Sequence, residues 1–121
     1  MQRRHRLTGN KEFQDVRSHG RSWSHPLLLL RARPNGLAHS RFGLVVSKRI
    51  GTAVVRNRVK RRLREATRAR LASIAAGWDV VLIARSPIVG AQFVDITQAL
   101  DALLIRAGLT GTAAEMPDGA E

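Results

Sequence analysis

Between residues 54 and 70, apolar side chains recur at Val55, Val59, Leu63 and Ala66, in steps of four, four and three. That is the spacing of one helix face. Thr52 is a candidate N-cap and Gly77 a candidate stop, so the spacing predicts a helix over residues 53–75, about 34 Å long. Residues 21–33 read as strand-like, with Pro26 near the start of the longer segment. There Leu28, Leu30 and Ala32 face a core, and Leu27, Leu29, Arg31 and Arg33 form a half-wet face. Pro34, Asn35 and Gly36 supply a turn, and residues 41–47 return as a second strand, for which an antiparallel hairpin is the expected connection. Residues 78–85 contain Val80 to Ala84 without a polar break, the pattern of a strand covered on both faces and therefore central.

Two shorter patterns frame these. Residues 10–18 predict a short helix with Phe13 and Val16 inward, Glu12 and Asp15 near its start, Thr8 or Asn10 as cap, and Gly20 as stop. Phe93, Ile96, Leu100, Leu103, Leu104 and Ala107 line a last helix that Gly108 ends. Residues 1–6 are expected to be a basic mobile arm and residues 109–121 a disordered tail, leaving 7–108 as one folded domain. The order helix, strands, helix, strand, helix gives an α+β domain, with the helices expected on one side of a mixed sheet.

Charge changes the reading of the long helix. The chain of 121 residues carries +12; residues 109–121 hold three acids and no base, so residues 1–108 carry +15. A domain this basic is drawn to nucleic acid or an anionic membrane. The helix carries Arg56, Lys60 and Arg64 in a row at i, i+4 and i+8, where like charges repel by a few tenths of a kcal/mol per pair. A polyanion would relieve that repulsion. A membrane-surface helix fits less well, because the apolar stripe is Val, Leu and Ala and is needed for the core. The longest apolar runs are far too short to span a bilayer, so a cytoplasmic location is the default expectation. There is no cysteine, which excludes disulfides and thiolate metal sites.

Side-chain chemistry offers no catalytic constellation. A protein nuclease needs clustered carboxylates for metals, or a base beside them. Here the acids are scattered, and His5, His19, His25 and His39 show no ligand spacing. Glycine 51 opens no phosphate loop, since Gly51-Thr52-Ala53 lacks the Gly-Lys-Ser/Thr of that motif. Phe13 and Phe42 could stack on bases, though a lone Phe at helical or strand spacing usually serves a core.

The segment Ala53-Val-Val-Arg-Asn-Arg-Val-Lys-Arg-Arg-Leu-Arg-Glu-Ala66, preceded by Gly43-Leu-Val-Val-Ser-Lys-Arg-Ile-Gly51, resembles the protein component of bacterial ribonuclease P. Arg6-Leu7-Thr8 leading to Glu12-Phe13, His19-Gly20-Arg21, and residues 79–85 add supporting matches, so the likeness covers roughly residues 4–107. The resemblance implies an αβββαβα domain, similar to the second domain of ribosomal protein S5, with a mixed, mostly antiparallel four-stranded sheet. It also implies a left-handed βαβ crossover, against the right-handed rule that holds in about 98% of cases.

In function it implies the accessory protein subunit of an endoribonuclease that removes the 5′ leader of precursor tRNA. An RNA subunit is then the catalyst and binds Mg²⁺, and one protein is expected per catalytic RNA. Ser47, Lys48, Arg49, Arg56, Asn57, Arg58 and Arg61 match the segment that meets the catalytic RNA. Phe13, Lys60 and Arg64 match cleft positions that meet the leader. Arg17 and Arg31 stand where family members often have aromatics, and the chain has no Tyr. Leader binding is therefore expected to rest more on phosphate contacts and Arg stacking. The rival readings are a ribosomal or chaperone-like RNA-binding protein and, with no helix-turn-helix pair evident, a DNA-binding regulator.

Overall fold

A computed structural model describes residues 5–7 and 9–110. The elements are α1 (Asn10–His19), β1 (Arg21–Ser24), β2 (Leu28–Pro34), β3 (Arg41–Val45), α2 (Ala53–Arg68), β4 (Trp78–Ala84) and α3 (Phe93–Arg106). They realise the expected αβββαβα order. Within the predicted strand-like stretch 21–33, His25 and Leu28 exchange backbone hydrogen bonds of 2.8 and 3.2 Å and turn the chain into a β1–β2 hairpin.

The strand order is β1-β2-β4-β3. The hairpin expected between β2 and β3 does not form, because β4 lies between them, antiparallel to β2 and parallel to β3. The reason lies in β4 itself. Val80, Leu82 and Ala84 are buried on one face, and Val81 on the other is also fully buried. A strand apolar on both faces is best served where both edges are also paired. The loop after β2 instead holds the start of β4: Asn35 N donates to Gly77 O at 2.9 Å, and Trp78 N donates to Ser40 Oγ at 3.0 Å.

The helices occupy both faces, not one. Val59, Leu63 and Ala66 of α2 pack with Ile96, Leu100, Leu103 and Leu104 of α3 on Leu28, Leu30, Val80 and Leu82. On the other face Val16 of α1 meets Val81 and Leu7, with Phe13, Val45 and Ile83 packed against them. Phe93, expected on the core stripe of α3, is 42% exposed at that helix's first position.

Three boundaries move. Helix α2 stops at Arg68, so it is about 24 Å long at 1.5 Å per residue. Thr67 Oγ1 donates to Leu63 O at 2.8 Å, and Arg70 folds back with Nη1 on Ala66 O and its guanidinium on Asp101 of α3. The chain then leaves the helix axis to pair with its own end: Ala75 N donates to Leu109 O at 2.7 Å, and Ile74 bridges Thr110. Leu109 is 1% exposed, so the first two residues of the expected tail belong to the fold, and 111–121 lie outside the described residues. The expected arm is likewise anchored where it is described. Arg6 bridges Phe42, Leu7 N donates to Phe42 O at 2.9 Å, and His5 Nδ1 lies 3.1 Å from Ser40 O. Residues 1–4 lie outside the described residues, as does Thr8, one of two caps expected for α1. The cap is Gly9, whose N–H donates to Glu12 Oε1 at 3.1 Å, and not Asn10.

Candidate nucleic-acid interface

Helix α2 is aimed by its first turn. Thr52 Oγ1 accepts from Val55 N at 3.3 Å, the N-cap read from sequence. Gly51 takes φ +152, and a Cβ there would meet the Val55 side chain at 3.1 Å, so this entry needs glycine. Arg56 Nη1 donates to Gly51 O at 2.8 Å, which folds its stem over the cap and leaves it half-buried. Buried Ile50 pins the preceding 3₁₀ turn, and Ser47, Lys48 and Arg49 stand exposed beside it. Asn57, Arg58 and Arg61 are exposed on the outer side of α2. Six of the seven positions matched to catalytic-RNA contact thus lie in the turn before the helix and in its first two turns, and Arg61 lies near the helix middle.

The rest of the charge on α2 divides by partner. Arg62 Nη1 donates to Ala91 O at 3.3 Å and Arg68 pairs with Glu65, while Arg70, just past the helix end, pairs with Asp101. Arg58, Lys60, Arg61 and Arg64 have no carboxylate partner among the described residues. With Arg56 and Arg62, which bond only backbone carbonyls, six cations on one helix lack a carboxylate, a surface suited to a polyanion whose affinity should fall with salt.

Lys60 and Arg64 lie on the flank of α2 that overhangs β3, an edge strand of the sheet. There they line a groove of about 160 Å³ with Arg6, Leu7, Phe13 and Gly43. Phe13 comes from α1 on the far face, so the groove wraps the β3 edge and is walled by both helices and the N-terminal segment.

Helix α1 is held in place by a charged cluster at the start of β3. Arg41 donates from Nε to Asp79 Oδ1 at 2.9 Å, from Nη2 to Asp79 Oδ2 at 2.8 Å, and from Nη1 to Glu12 Oε2 at 2.8 Å. Asn35 Nδ2 adds a bond to Asp79 Oδ1 at 2.9 Å, so the 5%-exposed carboxylate is well satisfied. The hydrogen bond to Asp79 raises the Arg41 pKa further above its ordinary value, against the opposing effect of burial, and Glu12 adds to the rise. Glu12 adjoins Phe13 in sequence, and Arg41 is two residues before Gly43, so the ion pair sets the height of Phe13 over the strand.

Arg17 and Arg31 meet each other away from this groove. Arg31 Nη2 donates to Arg17 O at 2.7 Å, placing the half-buried guanidinium at the carboxyl end of α1 over β2. Its Nε is buried without a partner, and the Arg17 side chain is exposed. Sequence reasoning missed Arg6, Gly43 and Arg41. Arg6 was grouped with the arm, and the other two acquire meaning only when α1 crosses the strand that carries them.

Among the described residues the carboxylates do not form a metal cage. Glu12, Asp79, Asp101, Asp15 and Glu65 lie against cations, and Asp95 Oδ2 accepts from Gln92 N at 3.0 Å. No group of three or more His, Cys, Asp or Glu able to hold a metal occurs among the described residues. No helix among them is long and apolar enough to cross a membrane.

Comparison with known proteins places this architecture. The family model described as Ribonuclease P matches residues 1–108. The chain is 46% identical to the "Ribonuclease P protein component" of Roseiflexus castenholzii, across 98% of both chains. It is 48% identical to the protein of that name from Herpetosiphon aurantiacus, over 90% of this chain and 89% of the other. Among solved structures, the Staphylococcus aureus RNase P protein superposes with a TM-score of 0.81 at 30% identity, covering 88% of this chain and 97% of that one. The Thermotoga maritima RNase P protein gives 0.77 at 31% identity, covering 84% and 96%.

Proposed function

The chain belongs to the ribonuclease P protein family, and on that premise we propose a division of labour along α2. It is the accessory subunit of an endoribonuclease of tRNA processing. Its helix start, with Arg56, Asn57, Arg58, Arg61 and the turn at Ser47, Lys48 and Arg49, docks on the catalytic RNA. Phe13, Lys60 and Arg64 hold the 5′ leader of precursor tRNA in the groove at the β3 edge. Arg17 and Arg31 contact leader phosphates beyond it. The observation that carries this reading is the meeting of Phe13, Lys60 and Arg64 in one groove, on the helix whose start presents the other basic cluster.

The RNA subunit is the catalyst, cutting so that mature tRNA keeps a 5′ phosphate. Mg²⁺ is assigned to that RNA, since among the described residues the carboxylates lie against arginines, a lysine and a helix cap. What the protein contributes is positive charge between two polyanions, which lowers their mutual repulsion and raises substrate and metal affinity. One protein per catalytic RNA suffices, and the assembly works in the cytoplasm.

The test is reconstitution at low Mg²⁺. Adding the protein to the catalytic RNA restores 5′ maturation, and the gain in substrate affinity disappears when the leader is removed. Lys60→Ala with Arg64→Ala weakens leader-bearing substrate and leaves binding to the catalytic RNA intact; Arg58→Ala does the reverse. A general RNA-binding protein of similar charge restoring maturation equally well would return the chain to the ribosomal or chaperone-like class.

A further inference from the structure

A second cavity, of about 190 Å³ and lined by His5 and His39, lies across the N-terminal segment from the groove. Phe42 lines both cavities, while Arg6 and Leu7 wall the groove and His5 the second cavity. The two imidazoles stand nearly perpendicular, at 88° with centroids 6.0 Å apart. His5 is fixed in place by Nδ1 on Ser40 O at 3.1 Å, and a carbonyl can only accept, so Nδ1 carries the proton. No hydrogen bond engages the His39 ring among the described residues.

The remaining walls are apolar: Phe42, Leu71, Ile74 and Ala76. Ser40 Oγ is already used, donating to Ala75 O at 2.7 Å and accepting from Trp78 N. No carboxylate lines the cavity, which disfavours a metal ion or an organic cation. Apolar walls with a few polar atoms at the mouth suit a flat aromatic ligand, and imidazole is one of the side chains on which unstacked bases rest. Arg6, Lys60 and Arg64 next door favour a ligand attached to a polyanion.

We propose that the cavity lined by His5 and His39 takes a single unpaired nucleobase of the RNA strand that occupies the adjacent groove. This rests on the leader-binding reading above. The groove would hold phosphates through its cations, and the base beyond the N-terminal segment would turn inward onto the imidazoles.

The experiment scans a single abasic site along the leader of precursor tRNA, using protein assembled with the catalytic RNA. For the native chain one leader position should lose about five- to tenfold in affinity, the low end for base stacking on a ring. His39→Ala should flatten that position to the level of its neighbours, and His39→Phe should restore the dependence. Lys60→Ala should lower affinity at every position equally. A flat profile for the native chain, or one that His39→Ala leaves unchanged, overturns the nucleobase site. If removing the whole leader costs no affinity, the leader-binding reading itself fails, which the flat profile alone would not imply.

Discussion

The ring of Phe13 rests on Gly43 so closely that a Cβ on that glycine would stand 2.4 Å from both Cε1 and Cζ. The contact fits α1 to the sheet and forms the floor of the groove. Gly43→Ala should therefore push Phe13 off its seat, costing about 1–3 kcal/mol as overpacking does, and should weaken leader-bearing substrate. Gly90→Ala is the control, since a Cβ there meets nothing within 4 Å. Urea midpoints and leader-dependent affinities of both variants check this; equal behaviour of the two would remove the steric role of position 43.

Arg41 is the only arginine bridging two elements through two carboxylates among the described residues. Arg41→Met leaves buried Asp79 with Asn35 alone and should cost about 3 kcal/mol, whereas adding Asp79→Leu should recover much of the loss. Denaturant unfolding of the single and double variants decides it. The raised Arg41 pKa fixes the sign of the pH effect. Its contribution is present below the group's ordinary pKa and lost only as pH rises through the still higher folded value. Stability from this group should stay level through the moderately alkaline range.

Position along the chain made some of this fold legible and hid the rest. The α2 stripe, the Thr52 cap and the central character of β4 follow from local spacing and polarity. The neighbour of β2 does not. A turn after Pro34 makes a hairpin the cheapest local connection, but β4, apolar on both faces, outcompetes β3 for that edge. The helix read through Ala75 failed for a similar reason: Leu71 and Ile74 keep a helical step, yet Arg70 is held by Asp101 and the following residues pair with Leu109 and Thr110. For the site, the basic cluster at the start of α2 is contiguous in sequence and was readable. The groove joins residues 6, 13, 43, 60 and 64, which only α1, β3 and α2 together bring into contact.

Leu109 tests the corrected chain end. Its side chain is 1% exposed, and its backbone bonds to Leu104 O and Ala75 N at 2.9 and 2.7 Å. Leu109→Ala should cost about 2–4 kcal/mol, as for a core leucine, and thermal or urea unfolding reads it directly. A change below about 0.5 kcal/mol is what a solvent-exposed position gives, and it would return residue 109 to the tail.

Two arginines on the same stretch should answer salt differently. Arg58 is exposed without a carboxylate partner among the described residues, whereas Arg70 is half-buried, with Asp101 and Ala66 O as partners. If Arg58 neutralises one phosphate of the catalytic RNA, Arg58→Ala should lower the slope of log affinity against log salt by roughly 0.7 to 0.9. Arg70→Ala should leave the slope unchanged and instead lower the melting temperature, because it unties α2 from α3. The titrations use the purified protein and the catalytic RNA at several potassium concentrations. A slope that drops for Arg70→Ala, or stays fixed for Arg58→Ala, would mean that the two guanidiniums have exchanged the roles their partners assign them.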